Sequence, residues 1–194
     1  MAAQSLAASQ AVNQLRKSDP DYQQAFGDSV RGGFAVRFGP LYNMLNLSAE
    51  QMARFEQRLT AGTHQQMDFF AATQAKGVSP TDPSLASFRA KEKADFESDL
   101  RAILGETGLH EYLRYERTYG ARELINTLLG NLIYVETPMS AQQVNQLTQL
   151  LAENSPSYQK GGAMKSRAGD VSWEGVLAQA PQFLSPRQVE VLRL

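Results

Sequence analysis

The chain contains no cysteine, only two histidines and a single tryptophan. Without cysteine there is no disulfide, no thiolate zinc ligand and no cysteine nucleophile. Absence of free thiols suits an oxidising compartment, though many cytosolic chains share it. No apolar run approaches the roughly 18 residues of a membrane span. Net charge is also nearly missing, since 19 basic side chains meet 20 acidic ones for a balance of −1. The cationic excess that drives binding to a phosphate backbone is therefore absent, and we expect neither a nucleic-acid partner nor a membrane span. The opening MAAQSLAASQ has no basic region followed by an apolar core, so it does not read as a signal peptide. An Ala-rich polar start would equally suit a mature exported chain.

What is present is enough apolar residue for a packed core: 42% hydrophobic plus 14 glycines in 194 residues is near the globular average. The length is that of one domain, with two small subdomains also within range. Apolar residues at Met52, Phe55, Leu59, Met67 and Phe70 predict a helix over 48–75, weakened at Gly62 and ended by GVSPTDPS. Leu85, Phe88, Phe96, Leu100, Ile103 and Leu104 predict a second, broken at Gly105 and Gly108. Leu124, Ile125, Leu128, Leu129, Leu132 and Ile133 give the strongest helical period, with Gly120 dividing the region and Pro138 closing it.

A further amphipathic helix is expected over 140–153 and two short ones over 172–179 and 185–193. A helix over about 3–17 precedes a break at Pro20, and only GGFAVRF, Gly32 to Phe38, hints at strand alternation. The expected class is all-α, a compact multi-helix bundle of about six to eight helices with irregular loops. Its layout reads as an N-terminal helix and linker (1–30), a helical core (31–153), a flexible loop (154–170) and short C-terminal helices packing on the core (171–194).

One pentapeptide pattern occurs three times: LSAEQ at 47–51, MSAQQ at 139–143 and LSPRQ at 184–188. Ser48, Ser140 and Ser185 each precede a glutamine, Gln51, Gln143 or Gln188, by three residues, the spacing of a capping box. The serine hydroxyl accepts from the N–H of the third helical residue, and the glutamine returns to the N–H of the cap. Leu47, Met139 and Leu184 then sit where a hydrophobic staple needs them, opposite Met52, Val144 and Val189.

The same pattern resembles the L-T-x-x-Q motif of periplasmic stress proteins of the Spy and CpxP kind, with serine in place of threonine. That resemblance implies helices of a curved hairpin that dimerises into a cradle, ATP-independent chaperoning or envelope-stress sensing, and a periplasmic or secreted location, with cytoplasmic as the alternative. The copies here lie 92 and 45 positions apart with a long mixed region between the first two. The ending LSPRQVEVLRL also resembles the opening helix of LuxR-type helix-turn-helix domains, which require a recognition helix afterwards.

Few groupings suit catalysis. His64 and Asp68 stand four apart on a helix without a nearby third metal ligand, and His110 lies near Glu106 and Glu111 without an identifiable nucleophile. QKGGAMKSR lacks the arrangement of a phosphate loop, and GDSV and DVSW lack that of a hydrolase elbow. HEYLRYERTYGARE instead interleaves Tyr112, Tyr115 and Tyr119 with Arg114, Arg117 and Arg122, two residue types enriched at protein interfaces.

We therefore expect a non-enzymatic exported binding protein, with no metal or cofactor, acting on a protein partner or client and forming a homodimer. The alternative is a regulatory or scaffold module whose 154–170 loop engages one dedicated protein. A hydrolase is the least supported reading.

Overall fold

The computed structural model describes residues 15, 18–132 and 138–193, with the backbone alone for 129–132. Among these residues the fold is all-α: eight helices, three short 3-10 turns and no strand. The helix expected over 3–17 and the position of Ile133 lie outside the described residues, apart from Leu15. The chain divides into two compact units, Met1–His110 and Glu111–Leu194. That boundary falls inside the segment read from sequence as one core over 31–153. Apolar periodicity reports which face of a helix is buried, and it does not report which helices share a core.

Unit 1 is built on α1 (Pro20–Leu45), α2 (Ala49–Ala75) and α3 (Ala86–Arg117), the last as far as His110. Asp19 caps α1 by accepting from the Tyr22 N–H at 3.1 Å. Pro20 therefore opens a helix, as a first-turn proline can, and residues 20–30 belong to that helix and not to a linker. The Gly32–Phe38 stretch is also helical. Val30, Phe34, Phe38, Leu41, Tyr42 and Leu45 follow helical spacing through it, and this period outweighs the brief alternation of GGFAVRF.

Contacts run in reverse order between neighbouring helices, which makes α1, α2 and α3 successive antiparallel passes. Phe26 meets His64, and Phe38 and Tyr42 both meet Phe55 edge-on at 5.4 and 5.8 Å. Arg58 bonds Asp99 at 2.7 Å and covers the Phe96 ring, while Phe69 stacks on Phe88 at 5.2 Å. The buried core of unit 1 is small and mixes three aromatic rings with four leucines: Phe38, Leu41, Tyr42, Phe55, Leu59, Leu100 and Leu109. Gly62 leaves α2 continuous. Gly105 instead breaks α3, because its φ of 74° and ψ of 176° suit only glycine.

Unit 2 holds the end of α3 from Glu111, α4 (Tyr119–Leu132), α5 (Ala141–Glu153), α6 (Pro156–Gln159), α7 (Trp173–Gln179) and α8 (Pro186–Val191). Its core is aliphatic: Ile125 of α4, Leu147, Leu150 and Leu151 of α5, Val176 of α7, and Val189 and Leu192 at α8 are all buried together. Gly120 lets the start of α4 approach the Met164 backbone, where an added Cβ would collide with the carbonyl oxygen. Burial of these side chains at roughly 1.5–3 kcal/mol each is the main favourable term in unit 2.

Candidate protein-binding surface

The three repeated pentapeptides are complete capping boxes. The Gln51, Gln143 and Gln188 N–H groups donate to Ser48, Ser140 and Ser185 Oγ at 3.2, 3.2 and 3.3 Å. The serine N–H groups donate back to the glutamine Oε1 atoms at 3.0, 2.9 and 2.9 Å. Each glutamine has a second task that the local pattern does not reveal. Gln51 Nε2 donates to the Ile103 carbonyl at 3.3 Å, just before the Gly105 kink. Gln143 Nε2 donates to the Phe183 carbonyl at 2.9 Å and Gln188 Oε1 at 3.1 Å, while Gln188 Nε2 donates to the Pro138 carbonyl at 3.4 Å. The boxes thus join segments 40 to 52 residues apart and are fully occupied inside the chain. The staple residues Met139 and Val144 pack against the unit 2 core, and Leu184 and Val189 lie within it. Leu47 and Met52 are half-buried in unit 1.

The Arg/Tyr set lies on the end of α3 and the start of α4, and most of it is turned to intramolecular work. Tyr112 and Tyr115 are buried, with 5% and 6% exposure. Arg122 lies 3.5 Å above the Tyr115 ring and donates to the Tyr115 carbonyl at 2.6 Å and Thr118 Oγ1 at 2.7 Å. Burial pushes the Arg122 pKa down, against the opposing influence of Tyr115 and Glu116. Arg117 covers Tyr158 at 4.3 Å and donates to the Tyr158 and Gly162 carbonyls. Arg114 pairs with Glu111 at 2.6 Å, and Tyr119 is half-buried. Tyr–Arg interleaving is equally how a helix packs an aromatic edge under guanidinium groups.

The segment 154–170, read as a flexible loop, is clasped from within by Asp170. Its carboxylate accepts from Ser155 Oγ and Ser157 Oγ at 2.7 Å each and from the Lys165 N–H at 2.9 Å. Burial opposes ionisation here, but these three bonds and the nearby Lys165 charge together hold the carboxyl at about 2. The Met164 N–H donates to the Arg117 carbonyl, Trp173 Nε1 donates to the Ala168 carbonyl, and Gly161 turns the chain with φ 86°. Polar anchors leave no apolar period, which is why the order was not legible from sequence.

Unpaired apolar surface concentrates in unit 1. Val36 and Met44 of α1, Met67 and Phe70 of α2, and Phe88 of α3 are exposed, Val36 by 84% and the two phenylalanines by 48% and 46%. Phe70 lies beside Phe69 at 6.3 Å, and Phe69 stacks on Phe88. Half-buried Phe69 thus links exposed Phe70 and Phe88 into one aromatic group where α2 ends and α3 begins. Arg89 steadies the intervening turn by donating to the Pro80 and Asp82 carbonyls. Unit 2 has one comparable side chain among the described residues, Leu113 at 36%.

No three His, Asp or Glu side chains converge among the described residues. The His64 ring lies 5.4 Å from Phe26, with Nε2 buried and without a hydrogen bond there. No helix is long and apolar enough to cross a membrane among the described residues. No protein-family model, curated protein or solved structure matches this chain.

Proposed function

We propose that the chain is a non-enzymatic, chaperone-like or envelope-stress-sensing protein, periplasmic or secreted, that binds other proteins through apolar contact. The observation that carries this reading is exposed Phe70, joined through Phe69 to exposed Phe88, with exposed Met67 one turn before it on α2; exposed Val36 and Met44 lie apart from this group, at the level of Phe55. Exposed large apolar side chains grouped together mark interaction surfaces, whereas single ones are ordinary. Burying a phenylalanine recovers roughly 1.5–3 kcal/mol, so several half-exposed side chains suffice for reversible capture of an apolar segment. Methionine and phenylalanine also adapt to varied partner shapes. The serine form of the L-T-x-x-Q motif supports the same class and compartment.

The test is suppression of light scattering from a reduced, aggregating model client by the full chain. The wild type is expected to suppress it without nucleotide. Phe70→Ser with Phe88→Ser should weaken suppression strongly while circular dichroism stays unchanged. Equal suppression by the folded double variant would remove the basis of the proposal.

A further inference from the structure

Most cations elsewhere among the described residues are matched at close range, with Arg54, Lys76 and Arg193 standing singly. Arg58 pairs with Asp99, Lys91 with Asp95, Lys93 with Glu97 and Arg187 with Glu190, while Arg89, Arg117 and Arg122 are spent on backbone carbonyls. The loop of unit 2 differs in gathering its unmatched cations in one short stretch. Lys160, Lys165 and Arg167 are all exposed within eight residues, and none makes an ion pair or side-chain hydrogen bond among the described residues.

The loop's one carboxylate, Asp170, is 7% exposed, and its oxygens are taken by two hydroxyls and an amide. It offsets part of the Lys165 charge without offering a partner to Lys160 or Arg167. The backbone that bears the cations is fixed at both sides, by Asp170, by the Arg117 guanidinium on the Tyr158 and Gly162 carbonyls, and by the Met164 N–H. A connection of this length held by polar bonds is the usual setting of a binding loop. Fixing the backbone in advance lowers the ordering cost of binding.

We propose that the loop 160–167 is a docking surface for an acidic segment of a partner protein, read by Lys160, Lys165 and Arg167. A polypeptide fits better than the other polyanions. Three cations on a chain of net charge −1 fall short of the array of phosphate contacts that nucleic-acid binders use. Met164, the loop's large apolar side chain, is buried, so the loop offers no side chain of the kind that membrane-surface binding inserts. Half-buried Trp173, bonded to the loop at Ala168, supplies a reporter beside the cations. This surface is independent of the apolar set in unit 1.

A fluorescein-labelled poly-glutamate peptide, titrated with the full chain and read by anisotropy, tests the proposal. Binding should weaken with salt. Lys160→Glu, Lys165→Glu and Arg167→Glu together should weaken it about tenfold or more, as summed exposed charges allow. The charge-matched Lys91→Glu, Lys93→Glu and Arg187→Glu variant should change it little. If the loop variant misfolds by circular dichroism, Lys160→Gln with Arg167→Gln replaces it and should show a smaller loss in the same direction. Absence of binding, equal loss in both variants, or tighter loop-dependent binding to phosphatidylglycerol vesicles or a single-stranded oligonucleotide would overturn it.

Discussion

In unit 1 Gln51 reaches across to one carbonyl, that of Ile103, whereas in unit 2 Gln143 and Gln188 reach each other and one carbonyl apiece. The segments that receive these bonds correspond. Ile103–Leu104–Gly105 stands to Gln51 as Phe183–Leu184–Ser185 stands to Gln143, with the accepting carbonyl two residues before the next helix start. Unit 1 has Gly105 where unit 2 has a serine cap, and Gly108 where unit 2 has the returning glutamine. Its latch therefore has one arm. Behind the latch unit 1 holds a small core of rings and leucines with apolar side chains left in solvent, and unit 2 holds a larger aliphatic core. The comparison teaches that the capping box can serve as half of a paired joint, and that the unit with the incomplete joint is the one with exposed apolar surface.

The sharpest way to break this comparison is to cut into each unit's apolar side chains. Leu147 is fully buried in unit 2, and Leu147→Ala should cost about 2–5 kcal/mol. Phe70→Ser should lie within about 0.5 kcal/mol of the wild type, as exposed substitutions do. Denaturant titrations of the two variants measure the difference; similar losses would mean that Phe70 is part of a core.

Smaller effects should come from the joints. Gln143→Leu leaves the Phe183 carbonyl and the Ser140 N–H without their partner and should cost about 1–3 kcal/mol. Gln51→Leu, with one cross-bond to lose, should cost about 1 kcal/mol. Hydrogen exchange of α5 and α8 should accelerate in the first variant and that of α2 in the second. Equal effects would reduce the paired joint to ordinary capping.

The smallest effect is confined to acid. The Asp170 carboxyl sits at about 2 in the fold against an ordinary 3.8, so the folded state favours its ionised form. Its contribution is fully present above the ordinary value and is lost as pH falls from there through about 2. Melting followed by Trp173 fluorescence should therefore lose stability between about pH 5 and about pH 3 in the wild type, and Asp170→Asn should flatten that slope. An unchanged slope would show that the clasp does not set the acid response.

Much of the fold was legible because helix starts announce themselves locally. Ser48, Ser140 and Ser185, with their glutamines and staples, placed α2, α5 and α8 within a residue or two. The all-α class followed from the same periodicity. Residues 20–38 were misread because Pro20 signals both a break and a first turn, and only Asp19 as cap decides between them. The cross-chain roles of Gln51, Gln143 and Gln188 were not legible, since a capping box fixes a glutamine's Oε1 and leaves the target of its Nε2 to the fold. The Arg/Tyr pattern at 112–122 was visible, but its inward direction depends on Tyr158, Gly162 and Thr118, which no spacing rule connects to it. Exposure of Phe70 and Phe88 was likewise invisible, because their helical period matches that of buried residues.

The central claim, that unit 1 carries the client-binding surface, is tested most directly by hydrogen exchange of the full chain with and without a permanently unfolded, reduced and alkylated client. The account predicts added protection in α2 near Met67 and Phe70 and in α3 near Phe88, with the α5 and α7 amides of unit 2 unchanged. Protection confined to unit 2, or none at saturating client, would contradict it.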